Sequence, residues 1–213
     1  MNSPDFAPAP VIRRLGVTAY EPTWRAMQQF TAARTAATQD EIWLTQHTPV
    51  YTLGLAGKPE HLLRVDTGIP LIKTDRGGQI TYHGPGQLVA YVLLDIKRRG
   101  VGVRTLVRKL ESAVINLLAT YDITAHYRAD APGVYVMANN TEAKIAALGL
   151  RIKNGCCYHG LALNIDMNLA SFTHINPCGY AGLAVTQLRD LGVGDPLETV
   201  GEKLTRHLLD VLP

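Results

Sequence analysis

Cysteine is scarce in this sequence, and its positions exclude several classes of protein. The 213 residues contain three cysteines, two of them adjacent at Cys156 and Cys157. Three thiols cannot all pair and neighbouring cysteines seldom bridge, so a disulfide scaffold is not expected and a reducing compartment is favoured. The C-x-x-C signature of structural zinc is missing from the sequence. We therefore expect a cytoplasmic protein without a metal site.

Long apolar runs and concentrated charge are also missing. The longest strongly apolar stretch, Leu88–Leu94, is far shorter than the ~20 residues that a membrane-spanning helix needs, so no membrane association is expected. The first ten residues lack the basic and apolar regions of a secretory signal. The net charge is +3 without a dense Lys/Arg block, which disfavours nucleic acid as a partner and leaves an acidic protein partner open. The sequence has no G-x-x-x-x-G-K-[ST] loop for nucleotide phosphates.

The pattern of apolar residues predicts one domain over residues 11–213, preceded by a flexible tail rich in Pro and Ala at residues 1–10. Helical spacing predicts helices over about 22–37 and 104–121, and a third from Pro196 with Asp195 as its N-cap. Short apolar runs predict strands at 42–45, 50–53, 71–74, 79–82, 88–96, 123–127, 133–137, 144–152 and 158–165. Many adjacent strands with only three helices predict an α+β fold, with a mixed, mainly antiparallel sheet flanked by helices.

The most unusual segment runs from Asp75 to Gln87 and has the sequence DRGGQITYHGPGQ. Five of its thirteen residues are Gly or Pro, and glycine lets the backbone approach a ligand closely. Arg76, Gln79 and His83 add hydrogen-bonding groups and one base that titrates near neutral pH. From the residues alone, a ligand-binding loop and a tight hairpin with a structural His83 are equally good interpretations.

Two residues could supply nucleophilic chemistry. Cys178 lies in the loop Asn176–Tyr180, where the flanking Pro and Gly can expose its sulfur. A thiolate nucleophile needs exposure and a nearby cation to lower its pKa, and Lys144 is a candidate for that cation. The alternatives are ordinary, because most free cysteines are buried hydrophobes and most lysines in apolar company extend their amine to solvent.

The small residues of the segment 158–164 could line an apolar slot, or its histidine could be a satisfied core residue.

Taken together, these segments resemble the lipoyl(octanoyl) transferases, which are octanoyl–acyl-carrier-protein:protein octanoyltransferases. The resemblance covers the chain from about Val11 onward, and the motifs follow the family's order. They are RGGQITYHGPGQL from Arg76, KIAALGLR from Lys144, HGLALN from His159 and NPCG from Asn176. The adjacent pair Cys156 and Cys157 departs from the family's pattern, in which small or hydroxyl residues are commoner, and places a second thiol near the site.

The resemblance implies roles for the site residues. Cys178 corresponds to the nucleophile that carries the acyl group as a thioester, and Lys144 to the lysine that lowers the pKa of that thiol. The implied substrate-binding residues are Arg76, Gly77, Gly78, Gln79, Ile80, Thr81, Tyr82, His83, Ala147, Leu148, Gly149, Gly160, Leu161 and Ala162. The implied fold is that of the biotin and lipoate protein ligase catalytic domains.

The resemblance also implies a two-step transfer that uses no ATP, metal or other cofactor. Octanoyl arrives on the phosphopantetheine arm of acyl carrier protein and moves to Cys178. A lysine of a lipoyl domain then attacks, in the E2 subunits of 2-oxoacid dehydrogenases or in the H protein of glycine cleavage. Thioester exchange costs little free energy and amide formation is downhill. Backbone N–H groups near Gly179 and on the loop 76–83 are alternative candidates for the oxyanion site.

Other functions remain open from the sequence. An ATP-dependent lipoate protein ligase would share the fold but needs no cysteine, so Cys178 is the residue that discriminates against it. A non-catalytic acyl-binding protein would hold a fatty chain without forming a covalent adduct. A general cysteine hydrolase has less support, because no His–Asp spacing singles out a partner for the thiol.

Overall fold

The computed structural model describes residues 8–212, and eleven strands account for much of that part of the chain. In chain order the strands are β1 (Val11–Thr18), β2 (Glu41–His47), β3 (Val50–Leu53), β4 (Leu71–Lys73), β5 (Ile80–His83), β6 (Gln87–Asp95), β7 (Ala125–Tyr127), β8 (Gly133–Ala138), β9 (Thr141–Lys153), β10 (Cys156–Asn164) and β11 (Ala184–Val185). The helices are α1 (Tyr20–Ala32), α2 (Val103–Ala119) and α3 (Leu197–Val211).

A large mixed sheet contains eight of these strands. Their order is β1-β2-β6-β10-β9-β8-β7, with β11 beside β9. The pairs β1–β2 and β9–β11 are parallel, whereas the other neighbours are antiparallel. A smaller sheet has the order β4-β3-β5. The α+β fold predicted from the sequence, with its mixed and mainly antiparallel sheet, is confirmed.

Strand β6 is buried along nearly its whole length because helices cover both faces of the large sheet. Leu88, Ala90 and Val92 belong to the main core together with the apolar faces of α2 and α3. The intervening Val89 and Tyr91 pack with α1 in a second core cluster. Since successive side chains of a strand point to opposite faces, α1 and the α2–α3 pair lie on opposite sides of the sheet. The strand is therefore a continuous apolar run rather than an alternating one.

The smaller sheet places the segment 75–79 against the middle of the large sheet. Strand β5 pairs with β3, and the loop before β5 reaches β9, where the Gly77 N–H donates to the Leu150 carbonyl over 2.9 Å. Tyr51, Tyr82 and Phe172 form a separate aromatic cluster beneath this sheet. The glycine-rich segment is thus fixed over β9 by a backbone hydrogen bond.

A buried carboxylate connects the large sheet to neighbouring segments through ion pairs and a hydrogen bond. Asp40 is 1% exposed and forms ion pairs with Arg34, Arg98 and Arg99. The Asp40 carboxylate also accepts a hydrogen bond from the backbone N–H of Asp95, at the end of β6. The arginines and this N–H hold the pKa of Asp40 below its ordinary value although burial acts in the opposite direction. A buried charge persists here because it is fully paired.

The predicted strand positions agree with the structure to within three residues, but β1 and β11 were not predicted and the predicted end of α1 is wrong. Helix α1 ends at Ala32 rather than residue 37, because the Thr35 N–H donates to the Thr38 hydroxyl in a turn that competes with the helix. Strand β1 was not expected from its exposed, charged sequence. It pairs with β2 through backbone hydrogen bonds at the sheet edge, and an ion pair of Arg13 with Glu41 adds to this contact.

The predicted N-cap of α3 is wrong. The N-cap position belongs to Pro196, and the Asp195 carboxylate instead accepts hydrogen bonds from the Tyr121 hydroxyl and the Lys203 ammonium group, both over 2.9 Å. Positions 1–7 of the predicted tail lie outside the described residues. In the part that is described, the Pro8 carbonyl accepts a hydrogen bond from Arg99. Among residues 8–212, no helix is long and apolar enough to cross a membrane.

Candidate active site

Cys178 lies at the centre of a single 3-10 turn, Pro177–Gly179, and has the left-handed backbone angles φ 56° and ψ 16°. The Gly179 N–H closes this turn by donating to the Asn176 carbonyl over 2.9 Å. The Asn176 N–H in turn donates to the His61 carbonyl over 2.8 Å, which ties the turn to a distant part of the chain. The Gly179 N–H is already hydrogen-bonded within the turn. The Gly77 N–H is already hydrogen-bonded to the Leu150 carbonyl of β9. Of the candidate oxyanion donors, these two are therefore committed elsewhere.

Lys144 reaches the sulfur of Cys178 from the middle of the large sheet. Strand β9, which carries it, pairs with β8, β10 and β11, so its backbone is held from both sides. The side chain is 4% exposed. Its Nζ lies 2.8 Å from Cys178 Sγ and 3.0 Å from the Pro132 carbonyl oxygen. The ring of Tyr135 lies 5.2 Å from the same nitrogen.

The path of the lysine side chain depends on Gly133. A Cβ at this position would lie 2.2 Å from Lys144 Cε and 2.9 Å from Nζ. The φ angle of Gly133 is +150°, which side chains rarely allow. Only glycine lets the Lys144 side chain pass over β8 to reach the sulfur.

A first, narrow cavity opens beside Cys178. It is mostly apolar, because β9 and β10 contribute small residues at the paired positions Ala147–Ala162 and Gly149–Gly160. A Cβ at Gly160 would lie 2.0 Å from the Ala90 carbonyl oxygen, so glycine is required for β10 to lie against β6. The predicted site residues that line this cavity are Arg76, Gly78, Gln79, Ile80, Thr81, His83, Ala147, Leu148, Gly149, Gly160, Leu161, Ala162 and Cys178.

A second, larger cavity meets the first at Cys178. The two cavities share Gly78, Gln79, Leu148, Gly149 and Cys178, and the second is also lined by residues of α2 and by Tyr180. The sulfur is thus reachable from two directions.

Two of the predicted substrate-binding residues are placed differently from the rest. Gly77 lines only the second cavity. Tyr82 is 4% exposed and packs its ring against Tyr51 and Phe172, and it lines neither cavity at Cys178. Its ring belongs to the aromatic cluster below the small sheet, and its contact with substrate stays a prediction.

Arg76 holds the loop rather than pointing into open space. It is 7% exposed, and its guanidinium donates to the Thr52 carbonyl over 2.6 Å and to the Gln79 carbonyl over 2.8 Å. Burial lowers the pKa of Arg76 from its ordinary value. The guanidinium thus adds a buried positive charge beside the first cavity while fixing the shape of the segment 76–79.

Several aromatic and titratable residues of the first cavity were not predicted as site residues. Tyr20 of α1 and Tyr91 of β6 line it, and the Tyr20 ring stacks on His83 with 5.7 Å between ring centres. His159 also lines it, and its Nε2 donates a hydrogen bond of 2.9 Å to the Asp75 carboxylate. Tyr20 precedes the motifs by more than fifty positions, so only the fold brings it to the site.

Two buried histidines, His83 in this wall and His47 in contact with it, are held in their neutral form. Burial lowers the pKa of His83 to about 3 and that of His47 to about 4. His83 Nδ1 lies 2.7 Å from Gln87 Oε1, and His47 Nε2 lies 2.6 Å from the Tyr91 hydroxyl. Both hydrogen bonds are compatible with neutral imidazoles.

These pKa values predict that the protein loses stability in mild acid. Both histidines titrate near pH 6.5 when unfolded, so below that pH the unfolded chain binds more protons and stability falls as the pH approaches 4 and then 3. Each histidine should account for about 2 kcal/mol lost between pH 7.5 and pH 5. The free energy of unfolding of the wild type and of His83→Gln, measured by urea denaturation at each pH, tests this loss.

The variant His83→Gln should flatten the dependence of unfolding free energy on pH by about half of the predicted loss. His207 on the partly exposed side of α3 offers a matched control outside this cluster, and His207→Gln should not reproduce the flattening. A wild-type free energy of unfolding that is constant from pH 7.5 to pH 5 would show that these imidazoles are not kept neutral by burial.

The comparisons with known proteins agree with this geometry. A family model described as the lipoyl protein ligase A/B catalytic domain matches residues 19–209, and the chain belongs to that family of catalytic domains. It is 62% identical over 203 residues to the octanoyltransferase of Azoarcus sp. strain BH72, covering 95% of this chain and 88% of that protein. It is 60% identical over 210 residues to the octanoyltransferase of Aromatoleum aromaticum, covering 99% and 89%. Within the family, the chain is thus a member of the octanoyltransferases.

Solved structures share the fold at low sequence identity. A putative lipoate protein ligase from T. acidophilum with bound lipoic acid has a TM-score of 0.77 at 16% identity, covering 96% of this chain and 86% of that one. A lipoate-protein ligase A bound with ATP has a TM-score of 0.75 at 16% identity, with the same coverage. The biotin protein ligase from Aquifex aeolicus has a TM-score of 0.55 at 12% identity, covering 96% and 69%. The predicted fold resemblance is confirmed.

Proposed function

We propose that this acyltransferase moves an octanoyl group from acyl carrier protein to a lipoyl-domain lysine through a thioester on Cys178. The observation that carries the proposal is the 2.8 Å contact between Lys144 Nζ and Cys178 Sγ at the junction of two cavities. The high identity to octanoyltransferases over nearly the whole chain supports octanoyl as the acyl group. Lipoyl domains of 2-oxoacid dehydrogenase E2 subunits and the glycine cleavage H protein are the proposed acceptors, in the cytoplasm.

The first cavity is the proposed site for the acyl chain. Its apolar walls, built from Ala147, Leu148, Leu161 and Ala162, suit a saturated hydrocarbon chain, whose burial is favourable. The second cavity, which is more open, leaves room for the pantetheine arm and later for the acceptor lysine. This division lets the acyl group stay in place while its two partners exchange.

In the first step the Cys178 thiolate attacks the thioester carbonyl. An ammonium group beside the sulfur stabilises the thiolate by Coulomb attraction. The new carbon–sulfur bond forms, the bond to the pantetheine sulfur breaks, and the departing thiolate takes a proton from Lys144. Gly78 and Gln79 adjoin both cavities, so their backbone N–H groups are the proposed donors to the oxyanion.

In the second step the neutral Lys144 accepts a proton from the attacking amine of the lipoyl domain. The amide bond forms, the Cys178 thiolate leaves, and the starting ion pair is restored. Splitting one difficult acyl transfer into two steps is covalent catalysis. Neither step contains an activation by nucleotide, so we propose that ATP and metal ions are not required.

The first test replaces the nucleophile. Cys178→Ser should lower transfer from octanoyl–acyl carrier protein to a lipoyl domain by at least about 1,000-fold in a reaction without ATP, because a hydroxyl is a far poorer nucleophile than a thiolate. The buried Cys157, whose pKa burial raises to about 12, offers the control variant Cys157→Ser, which should retain activity. Wild-type turnover in Cys178→Ser, or an absolute need for ATP, would contradict the proposal and favour a ligase.

The second test distinguishes electrostatic stabilisation of the thiolate by Lys144 from proton transfer by Lys144. Lys144→Ala should slow both formation and discharge of the acyl enzyme, by about 100-fold or more. Lys144→Arg keeps a cation but cannot readily act as a base, so it should retain more of the first step than of the second. Rapid-quench measurement of the acyl-enzyme intermediate in each variant resolves the two steps. An unaltered rate of acyl-enzyme formation in Lys144→Ala would exclude the lysine from the mechanism.

A further inference from the structure

Helix α2 carries a fully buried carboxylate on its apolar face. Glu111 is 0% exposed and follows the core residue Leu110. Burial of a carboxylate is costly unless the charge is paired and hydrogen-bonded. Its partners are the guanidinium of Arg108, over 2.7 Å, and the backbone N–H of Gly133, over 2.9 Å. The carboxylate is therefore committed to the first residue of β8.

The same peptide group also binds the catalytic lysine. The N–H of Gly133 and the carbonyl of Pro132 belong to one peptide unit, and that carbonyl accepts the hydrogen bond of 3.0 Å from Lys144 Nζ. A peptide unit is planar, so fixing its N–H also fixes the direction of its carbonyl. Glu111 and Lys144 are thus connected through a single rigid group.

The lysine needs such a fixed acceptor. Its ammonium group sits on a flexible four-carbon chain, and two acceptors, Pro132 O and Cys178 Sγ, define its position. The segment before the peptide is held by the Tyr135 hydroxyl, which donates to the Ala131 carbonyl over 2.8 Å. The peptide itself is held at its N–H by Glu111.

We propose that Glu111 is a positioning residue for Lys144, acting through the Pro132–Gly133 peptide. The carboxylate fixes this peptide so that its carbonyl directs the ammonium group toward Cys178. An anionic acceptor on the N–H also polarises the peptide and makes the carbonyl a stronger acceptor. Glu111 lines neither cavity at the sulfur, so it acts through the lysine and not on substrate. The inference rests on the proposed function, because it concerns the lysine assigned there.

The test compares two replacements of similar size. Glu111→Gln retains an oxygen that can accept from the Gly133 N–H, whereas Glu111→Met fills the space without an acceptor. We expect Glu111→Met to lower kcat by at least about tenfold with KM changed less than twofold, since only the catalytic lysine is displaced. It should also slow iodoacetamide alkylation of Cys178 at pH 7, measured by peptide mapping. Glu111→Gln should recover most of both rates.

Leu110→Ala is the matched control, because it destabilises the same helix without touching the peptide. It should leave the alkylation rate of Cys178 and kcat near their wild-type values. The proposal fails if Glu111→Met leaves the alkylation rate unchanged, or if Leu110→Ala lowers it equally. Should Glu111→Met not fold, Glu111→Asp takes its place, because its shorter side chain withdraws the carboxylate from the Gly133 N–H. An alkylation rate in Glu111→Asp below that of Leu110→Ala supports the proposal, and an equal rate overturns it. Failure of the proposed function is separate, because it appears as a wild-type protein that forms no octanoyl adduct.

Discussion

A buried ammonium group must have acceptors, and this requirement organises the centre of the molecule. Lys144 is 4% exposed, and the Pro132 carbonyl and the Cys178 sulfur lie within 3.0 Å of its nitrogen. Removing either acceptor would leave part of the desolvation cost uncompensated. The sulfur is the acceptor that can bear a negative charge. In the proposed mechanism, the contact that supplies the buried lysine with an acceptor also prepares the thiol for nucleophilic attack.

The fold supplies this contact from parts of the chain that lie far apart. Strand β9 holds the lysine in the interior of the sheet, and its parallel partner β11 follows the turn that carries Cys178. Gly133 leaves the space through which the lysine side chain passes. The glycine-rich segment, fixed to β9 through Leu150, closes the cavity on the other side. Cation, thiol and cavity wall thus depend on one strand.

The sequence predicted the parts of the site that lie in compact motifs, and it missed those that the fold brings in. Runs of small residues in β9 and β10 indicated an apolar slot, and the loop around Cys178 indicated an accessible sulfur. The position of Tyr82 in the aromatic cluster below the small sheet could not be predicted, because a motif does not show which side of a strand faces the cavity. Tyr20 and Glu111 carry no local signal, since their partners lie on distant elements.

The central claim is that the acyl group resides on Cys178 between the two steps. Intact-mass spectrometry after incubation with octanoyl–acyl carrier protein, without ATP, tests it directly when combined with peptide mapping. The account predicts a mass increase equal to one octanoyl group, mapped to Cys178 and lost when a lipoyl domain is added. Transfer to the lipoyl domain without any such adduct, or an adduct confined to Cys156 or Cys157, would contradict it.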